Sequence, residues 1–507
     1  MSLTERLKAL APERLKGIRR GIEKESLRVR PDGTLSQALH PPALGSALTH
    51  PHITTDFSES QLELITGPHT GVDACLEELT QIHQVVDRHI GEEILWAASM
   101  PCNLPADDQI PIGRYGTSNV GRAKTVYRIG LSHRYGRRMQ EISGIHYNFS
   151  LPGVKSEEYF ALIRNFRRHS WLPIYLFGAS PAVCPSFVAG RRHRLVELAP
   201  GALYAPHATS LRMGPLGYQS DAQASLSVSY NSLESYTASL YEALTRPYPE
   251  YEKIGLMAQG GNGDDYRQLA TTLLQIENEF YGTIRPKRRI KRGERPLHAL
   301  RARGVEYVEV RLMDLDPFVP VGITAGTMRF LDVFLLHCLL SGSPDDTAQE
   351  IGEIGRNQHA VALKGREAGL VLEQGRKRVA LKDWGAAILG ECEPIAAALD
   401  AAHGASAHRD ALAEAAGRLA DPDTAPSARV LHAMARNHDN SFLRFVLIQS
   451  TLHKAALKSL ELPAEVRARF SRLAAESLQK QREVEAADTV DFETFRRQYL
   501  AHELLTV

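Results

Sequence analysis

The stretch VEYVEVRLMDLDP, residues 305–317, has the alternation of apolar and polar side chains that is typical of a β-strand. Successive side chains of a strand point to opposite faces, so Val308 and Val310 share one face while Glu309 and Arg311 share the other. The valines predict a buried face. The carboxylate and the guanidinium allow two interpretations, a solvent-facing ion pair or part of a site that handles charged atoms, and the stretch alone leaves both open.

Two further stretches predict strands with one polar face. Residues 142–152, ISGIHYNFSLP, place His146 and Asn148 between apolar side chains, and residues 226–230, LSVSY, alternate apolar side chains with serines. Half-polar strands of this kind are typical of an antiparallel sheet that helices cover on one face. We therefore expect an antiparallel sheet in this part of the chain.

Helical periodicity lies between these strands. Residues 71–90 carry apolar side chains at helical spacing, and Thr70 with Asp73 is the expected N-terminal cap. A second helix is expected to begin at Ser156. Beyond about residue 330 the composition becomes rich in Ala and Leu, with turn signals such as DPDTAPS between helix-like stretches.

The alternation of patterns predicts an α+β protein in two parts. Residues 1–330 form a sheet-bearing catalytic core, and residues 331–507 form a mostly helical C-terminal part that packs on this core or continues it as one domain. The length of 507 residues is sufficient for a substantial hydrophobic core.

Composition restricts the class of protein. With 43% hydrophobic and 23% charged residues and a formal net charge of +1, the chain is typical of a globular protein without a general attraction to nucleic acid or membranes. The charged first 21 residues contain no signal-peptide apolar region, and FLDVFLLHCLL is too short to span a bilayer. Five scattered cysteines without metal-ligand spacing predict reduced thiols in a cytoplasmic protein.

Acidic side chains recur on the polar faces of the predicted strands. They are Glu23 and Glu25 in GIEKESLRV, Asp56 and Glu63 in TTDFSESQLELIT, Glu277 and Glu279 with Tyr281 in LQIENEFY, and Glu309. Each acid alone is compatible with a solvated strand face. Gathered in one desolvated place, the carboxylates would repel one another unless cations compensate them, and oxygen ligands with one histidine suit Mg²⁺ or Mn²⁺.

Basic residues are the candidate counterparts of these acids. Arg311 shares a face with Glu309, Arg212 lies in ATSLRMGPLGY, and residues 285–292 form a basic run. We expect this run to be a solvated loop, with binding to nucleotide phosphates or to nucleic acid as alternatives. The chain has no P-loop or dinucleotide fingerprint, and no zinc-protease or serine-hydrolase signature.

Several blocks occur together and in order over residues 17–318: GIEKESLRV, ALGSALTHPHITTDFSESQLELIT, SMPC, YGTSNVGRAKTVYRIGL, ISGIHYNFSLP, LFGASPAVC, HATSLR, QIENEFYGTIRPKR and VEYVEVRLMDLDPF. The set closely resembles the proteobacterial type of glutamate–cysteine ligase, a member of the glutamine-synthetase-like carboxylate–amine ligases. EAADT near residue 485 also fits the resemblance.

The resemblance implies a mainly antiparallel sheet that forms an open, funnel-like active site flanked by helices. It implies ATP-dependent joining of the γ-carboxylate of L-glutamate to the amino group of L-cysteine through γ-glutamyl phosphate, the first step of glutathione biosynthesis. The implied cofactors are two or three Mg²⁺ or Mn²⁺ ions per site, with ATP as co-substrate. Glutathione is the implied feedback inhibitor, and we expect a cytoplasmic monomer without nucleic-acid or membrane partners.

The resemblance also implies roles for individual residues. The metal ligands are Glu23, Glu25, Asp56, Glu63, His146 and Glu309. Arg311 is the arginine at the transferred phosphoryl group, acting with Glu309, and Arg212 belongs to the glutamate site. The pocket for cysteine consists of Phe57, Tyr127, Leu131, Gln140, Tyr218 and Tyr281.

Two other functions compete with this expectation. A carboxylate–amine ligase that uses a different amine would share the metal and phosphate chemistry. A nucleic-acid binder centred on residues 284–292 is the alternative from a different class, although the balanced net charge disfavours it.

Overall fold

The computed structural model describes residues 2–217, 226, 228–258, 265–291 and 293–501. Its strands, in chain order, are β1 (Arg19–Val29), β2 (Ile53–Thr55), β3 (Gln61–Ile65), β4 (Ile94–Leu95), β5 (Ile145–Ser150), β6 (Ala182–Val183), β7 (Val196–Ala199), β8 (Ala202–Tyr204), β9 (Ile284–Lys287), β10 (Tyr307–Met313), β11 (Val371–Gln374) and β12 (Lys377–Ala380). The principal sheet has the order β2–β3–β1–β5–β10–β9, with β4 paired to β1. Its neighbouring strands are antiparallel, and it is not closed into a barrel.

Helices cover one face of this sheet and make up most of the C-terminal part. They are α1 (Leu3–Lys8), α2 (Pro12–Lys16), α3 (Val72–His89), α4 (Asn119–Tyr135), α5 (Arg137–Gln140), α6 (Ser156–His169), α7 (Trp171–Phe177), α8 (Pro185–Val188), α9 (Leu233–Thr245), α10 (Pro249–Ile254), α11 (Pro296–Arg303), α12 (Ala325–Leu340), α13 (Ala348–Lys364), α14 (Leu381–His403), α15 (Ala407–Ala420), α16 (Pro426–Asn437), α17 (Phe442–Ser459), α18 (Ala464–Ala486) and α19 (Phe492–Tyr499). The predicted α+β class, with an open antiparallel sheet and a helical C-terminal part, is confirmed.

The two faces of the sheet differ as the alternation in residues 305–317 predicts. Val308 and Val310 are fully buried on the face that packs against α6 and α7. On the same face, the hydroxyl of Tyr147 donates a hydrogen bond of 2.8 Å to Asp332 of α12. The opposite face carries Glu309 and its neighbours, so the apolar side of the sheet supports the polar side as a rigid platform.

The most apolar stretch of the sequence is a core helix. Thr324 caps the N-terminus of α12 by accepting a hydrogen bond from the backbone of Thr327, and nearly the whole helix is buried. Asp332 inside this helix forms a buried ion pair of 3.0 Å with Arg20 of β1. No helix in the described ranges is long and apolar enough to cross a membrane.

The C-terminal part packs into the same hydrophobic cluster as the sheet. Phe149 of β5, Leu331 of α12, Ile395 of α14 and Phe470 of α18 all belong to this cluster. Within residues 331–501, the β11–β12 hairpin interrupts the helices. The core therefore extends across residue 330, where the sequence changes composition.

Two local predictions are wrong. Helix α3 has no side-chain cap, because its N-cap residue is Gly71 and not Thr70, and Asp73 accepts a hydrogen bond of 2.9 Å from Arg329. The described part of residues 226–230 is not a strand. The backbone amide of Ser229 there bonds to the hydroxyl of Ser239 on α9, so this side chain supplies the partner that a neighbouring strand would have supplied.

The prediction of five reduced thiols is also wrong for one pair. Cys102 and Cys184 form a disulfide between positions separated by 82 residues, and both belong to one buried cluster. This long separation gave no signal in the sequence, because the pairing depends on tertiary structure. Cys75, Cys338 and Cys392 are buried free thiols, as predicted.

Candidate active site

A cavity of about 1310 Å³ lies over the polar face of the sheet. Residues from β1, β3, β5, β9 and β10 line it together with residues of α4 and α5. Among the lining residues are the predicted site residues Glu23, Glu25, Asp56, Phe57, Glu63, Tyr127, Leu131, Gln140, His146, Arg212, Tyr281, Glu309 and Arg311. Tyr218 lies outside the described residues. Segments far apart in the sequence thus contribute to one cavity.

Strand register explains why the acids meet. Residues directly opposite each other in an antiparallel pair point to the same face of the sheet. Glu25 of β1 lies opposite Glu63 of β3, and Glu23 lies opposite His146 of β5. Because Glu23 and Glu25 are two residues apart on one strand, both pairs share the cavity face.

These side chains form a compact acidic cluster. One ligand atom from each of Glu23, Glu63 and His146 lies within 4.8 Å of the other two. His146 is 3.2 Å from Glu23 through Nδ1 and 3.6 Å from Glu25 through Nε2. The backbone amide of Gly144 donates a hydrogen bond of 2.8 Å to Glu25, which fixes the carboxylate at the edge of the cluster.

The cluster carries repelling negative charge. Burial, followed by the charges of Glu23 and Asp56, raises the pKa of Glu63 well above its ordinary value. Burial, followed by the charge of Asp56, raises the pKa of Glu25 to about 8. Burial and the nearby Arg311 lower the pKa of His146, so its ring favours the neutral form that binds metal ions. Divalent cations would relieve this repulsion.

Asp56 is held at the cavity by its backbone. It follows β2 directly, and its carbonyl oxygen accepts hydrogen bonds from the hydroxyl of Tyr115 at 2.9 Å and from Nε of Arg128. Arg128 extends from α4, so this helix and the β2–β3 connection are tied together at the acidic cluster.

Glu309 lies between two cations. One oxygen accepts a hydrogen bond of 3.0 Å from Lys287 of β9, and the other accepts one of 2.8 Å from Arg311. Although burial raises the pKa of Glu309, Lys287 and then Arg311 outweigh it, and the pKa lies well below its ordinary value. Glu309 is fully buried, so its pair with Arg311 is not a solvent-facing ion pair.

Arg212 lies beside Arg311 in a narrow space. Its guanidinium donates a hydrogen bond of 2.8 Å to the backbone oxygen of Arg311 and is 3.8 Å from Asp314. A Cβ atom at position 144 would be 2.1 Å from the Arg212 guanidinium, so only glycine permits this approach. The two arginines are therefore coupled through the backbone of β10.

A partly aromatic pocket adjoins the acidic cluster. Phe57 and Gln140 are buried, and Tyr127 and Leu131 project from α4 one helical turn apart. The Gln140 amide donates a hydrogen bond of 3.2 Å to the hydroxyl of Tyr281. An apolar pocket with a few polar groups suits a small amino-acid side chain.

The prediction of a strand in LQIENEFY is wrong at its two acids. Residues 277–279 form a turn of 3₁₀-helix, in which Glu277 pairs with Arg295 at 2.7 Å and Glu279 pairs with Arg134 at 2.8 Å. Both carboxylates are thus neutralised by arginines, although Glu277 also lines the cavity.

The basic run is likewise not a solvated loop throughout. Arg285 and Lys287 lie on β9 and face the cavity, and neither residue is among the site residues that the sequence predicts. The usable signal was the period-2 spacing of IRPK, which Pro286 and the adjacent charges obscured. Arg292 lies outside the described residues.

An open antiparallel sheet that gathers carboxylates and cations over one cavity defines an enzyme that acts on anionic substrates. The chain belongs to the glutamate–cysteine ligase family, whose model matches residues 5–361. Similar proteins with that name come from Alcanivorax borkumensis, 47% identical over 97% of each chain, and from Pseudomonas entomophila, 48% identical over 96% of this chain and 94% of the relative.

Solved structures agree with this assignment. Glutamate–cysteine ligase from Francisella tularensis in complex with AMP is 37% identical, has a TM-score of 0.90 and matches over 96% of this chain and 98% of that chain. A bifunctional glutathione synthetase from Pasteurella multocida is 25% identical, with a TM-score of 0.69 over 93% of this chain and 57% of that chain.

Proposed function

We propose that the protein joins the γ-carboxylate of L-glutamate to the amino group of L-cysteine at the expense of ATP. A γ-carboxylate oxygen bonds to the terminal phosphorus of ATP as the bridging P–O bond to ADP breaks. The amino group of cysteine, after losing a proton, then bonds to the γ-carbonyl carbon and displaces phosphate. The acidic cluster and the Glu309–Arg311 pair in one cavity are the observation that carries this proposal.

The acidic cluster fits Mg²⁺ or Mn²⁺. Glu23, Glu63 and His146 already place their ligand atoms within 4.8 Å of one another, and Glu25 and Asp56 extend the set with further oxygens. Ions held by these residues would neutralise negative charge on the phosphate groups of ATP. We propose two or three such ions, with Glu309 as an additional ligand.

Arg311 is proposed to stabilise the transferred phosphoryl group. Phosphoryl transfer depends on alignment and on neutralisation of spreading negative charge, and a guanidinium contacts two phosphate oxygens at once. Glu309 orients this guanidinium, and Lys287 fixes the second oxygen of Glu309. The nucleotide in the Francisella tularensis complex supports ATP as co-substrate.

The two amino acids are proposed to bind on either side of the reacting phosphorus. Arg212 belongs to the glutamate site, because its backbone contact places it beside Arg311. Phe57, Tyr127, Leu131, Gln140 and Tyr281 form the site for cysteine, with Tyr218 as a further member. Glutathione contains the γ-glutamylcysteine unit of the product, so we propose that it inhibits by competing for this cavity.

An acceptor panel tests the proposal. The purified full chain is incubated with ATP, MgCl₂, L-glutamate and one of L-cysteine, L-serine, L-alanine, glycine or ammonia, and ADP release and the ligation product are measured. We expect rapid ADP release with cysteine and a product with the mass of γ-glutamylcysteine. Release that requires another amine and fails with cysteine would establish the alternative ligase, and no release with any amine would refute the proposal.

A further inference from the structure

Arg285 differs from the other buried arginines of the described chain in its lack of an acidic partner. The others form ion pairs with carboxylates within 4.0 Å: Arg20, Arg28, Arg164, Arg212, Arg295 and Arg418. Arg285 is only 6% exposed, and within the described residues no carboxylate oxygen lies within that distance of its guanidinium. A buried cation without a counter-ion is costly unless a ligand supplies one.

The nearest acid is already engaged. Glu309 lies directly opposite Arg285 in the β9–β10 pairing, but its two oxygens accept hydrogen bonds from Lys287 and Arg311. Among the described residues, the guanidinium of Arg285 makes one hydrogen bond, of 3.1 Å from Nη2 to the backbone oxygen of Asn278, and its Nε has no partner. Three cations on β9 and β10 thus surround Glu309, and Lys287 and Arg311 occupy both of its oxygens.

The surroundings of Arg285 indicate which anion it binds. On one side it is close enough to Arg311 for the two charges to repel, and burial followed by this repulsion lowers its pKa. On the other side it adjoins the aromatic pocket. Burial followed by the charge of Glu279 raises the pKa of Tyr127, and the charge of Arg285 counteracts part of this effect. Arg285 therefore lies between the phosphoryl-binding arginine and the proposed acceptor pocket.

From this position we infer that Arg285 binds the α-carboxylate of the acceptor amino acid and selects amino acids over simple amines. The inference rests on the proposed ligase function and deepens it. A carboxylate held by Arg285 would place the adjacent amino group toward Arg311, where the acyl phosphate forms. Phosphate groups of ATP are the alternative ligand, but Arg311 and divalent ions at the acidic cluster are already proposed to neutralise them.

L-Cysteine and cysteamine differ only in the carboxylate, so a comparison of the two distinguishes binding of the acceptor carboxylate from binding of ATP phosphates. L-Cysteine and cysteamine are compared as acceptors for the wild-type enzyme, Arg285→Met, Arg285→Lys and the control Arg356→Met, whose arginine pairs with Glu373 on the exposed surface. For Arg285→Met we expect kcat/KM with cysteine to fall about 10- to 100-fold. The kcat/KM with cysteamine and the KM values for ATP and glutamate should stay unchanged. Arg285→Lys should recover part of the loss, and Arg356→Met should match wild type.

The other outcomes overturn the inference. Equal losses with both acceptors and a raised KM for ATP would assign Arg285 to the phosphates, and a raised KM for glutamate would assign it to the donor. Unchanged kinetics in Arg285→Met would make the residue structural. Formation of γ-glutamylcysteine by the wild-type enzyme tests the ligase function separately. Circular dichroism and ATP binding by Arg285→Met establish that the variant is folded.

Discussion

Arg311 donates a hydrogen bond of 2.8 Å to Glu309, two residues before it on the same strand. The pair forms because both side chains lie on the cavity face of β10, with Val308 and Val310 anchoring the opposite face in the core. Lys287 holds the second oxygen of Glu309, so the carboxylate cannot turn away. The guanidinium of Arg311 is therefore held in one orientation, which is the preorganisation that its proposed role in phosphoryl transfer requires.

Replacing Arg311 by lysine should slow turnover. Lysine keeps the charge but loses the planar fork that contacts two phosphate oxygens, so we expect kcat to fall about 10- to 100-fold. The measurement is steady-state ADP release with saturating glutamate, cysteine and ATP. Arg356→Lys, at an exposed ion pair with Glu373, is the matched control and should be unchanged. An unaltered kcat in Arg311→Lys would remove this residue from the phosphoryl transfer.

Replacing Glu63 by glutamine should weaken metal binding and stabilise the metal-free fold. The substitution removes one charge from the cluster, so we expect Mn²⁺ to bind at least about tenfold more weakly in a titration followed by electron paramagnetic resonance. Without metal, Tm should rise because Glu63 no longer meets the charges of Glu23 and Asp56. Glu77→Gln on the exposed face of α3 is the control. Identical Mn²⁺ titrations would show that Glu63 is not a ligand.

Glu141 should make stability depend on pH. Burial raises its pKa to about 8 although Ser58 donates a hydrogen bond of 2.9 Å to it. The unfolded chain releases this proton near the ordinary value of 4.5, whereas the folded chain retains it to about 8. Between these values the folded state binds more protons, so the free energy of unfolding falls as pH rises, by at most about 1.4 kcal/mol per pH unit.

The Glu141→Gln variant isolates this contribution. It cannot ionise, so its free energy of unfolding in urea, measured from pH 5 to pH 8, should increase relative to wild type as pH rises. A constant difference between the two proteins across this range would show that Glu141 is ionised in the folded state.

The Cys102–Cys184 disulfide should stabilise the fold under oxidising conditions. Alkylation of the unfolded, unreduced protein should modify the three free cysteines, and all five cysteines should react after reduction. We expect reduction to lower stability by about 2–4 kcal/mol, because the unfolded chain regains the entropy that the cross-link removed. The variant with alanine at both positions should show no effect of reductant. Five reactive thiols without reduction would contradict the disulfide.

Local alternation in the sequence was sufficient to predict the strands that carry the site. GIEKESLRV, ISGIHYNFSLP and VEYVEVRLMDLDP form β1, β5 and β10, each with its charged residues on the predicted face. What the alternation could not provide was the order of strands and their register, which place Glu23 opposite His146 and Glu25 opposite Glu63. Pairing between distant strands depends on the whole core and has no local signal.

The errors have a common physical cause. The alternation in LQIENEFY predicts a strand with acids on its polar face, but Glu277 and Glu279 pair with Arg295 and Arg134 from other parts of the chain. In the same way, the sequence predicts a solvated run at Arg285, because strand β9 is short and contains Pro286. The sequence alone does not show which distant charges will lie next to a given charged residue in the folded protein.

Oxygen-18 transfer tests the central claim most directly. L-Glutamate labelled with oxygen-18 in the γ-carboxylate is incubated with the wild-type enzyme, ATP, Mg²⁺ and L-cysteine, and the phosphate and amino-acid products are analysed by mass spectrometry. A ligase that activates this carboxylate as an acyl phosphate must form γ-glutamylcysteine and transfer one labelled oxygen to each phosphate released with ADP. Phosphate without label, or label in phosphate without γ-glutamylcysteine, would contradict the account.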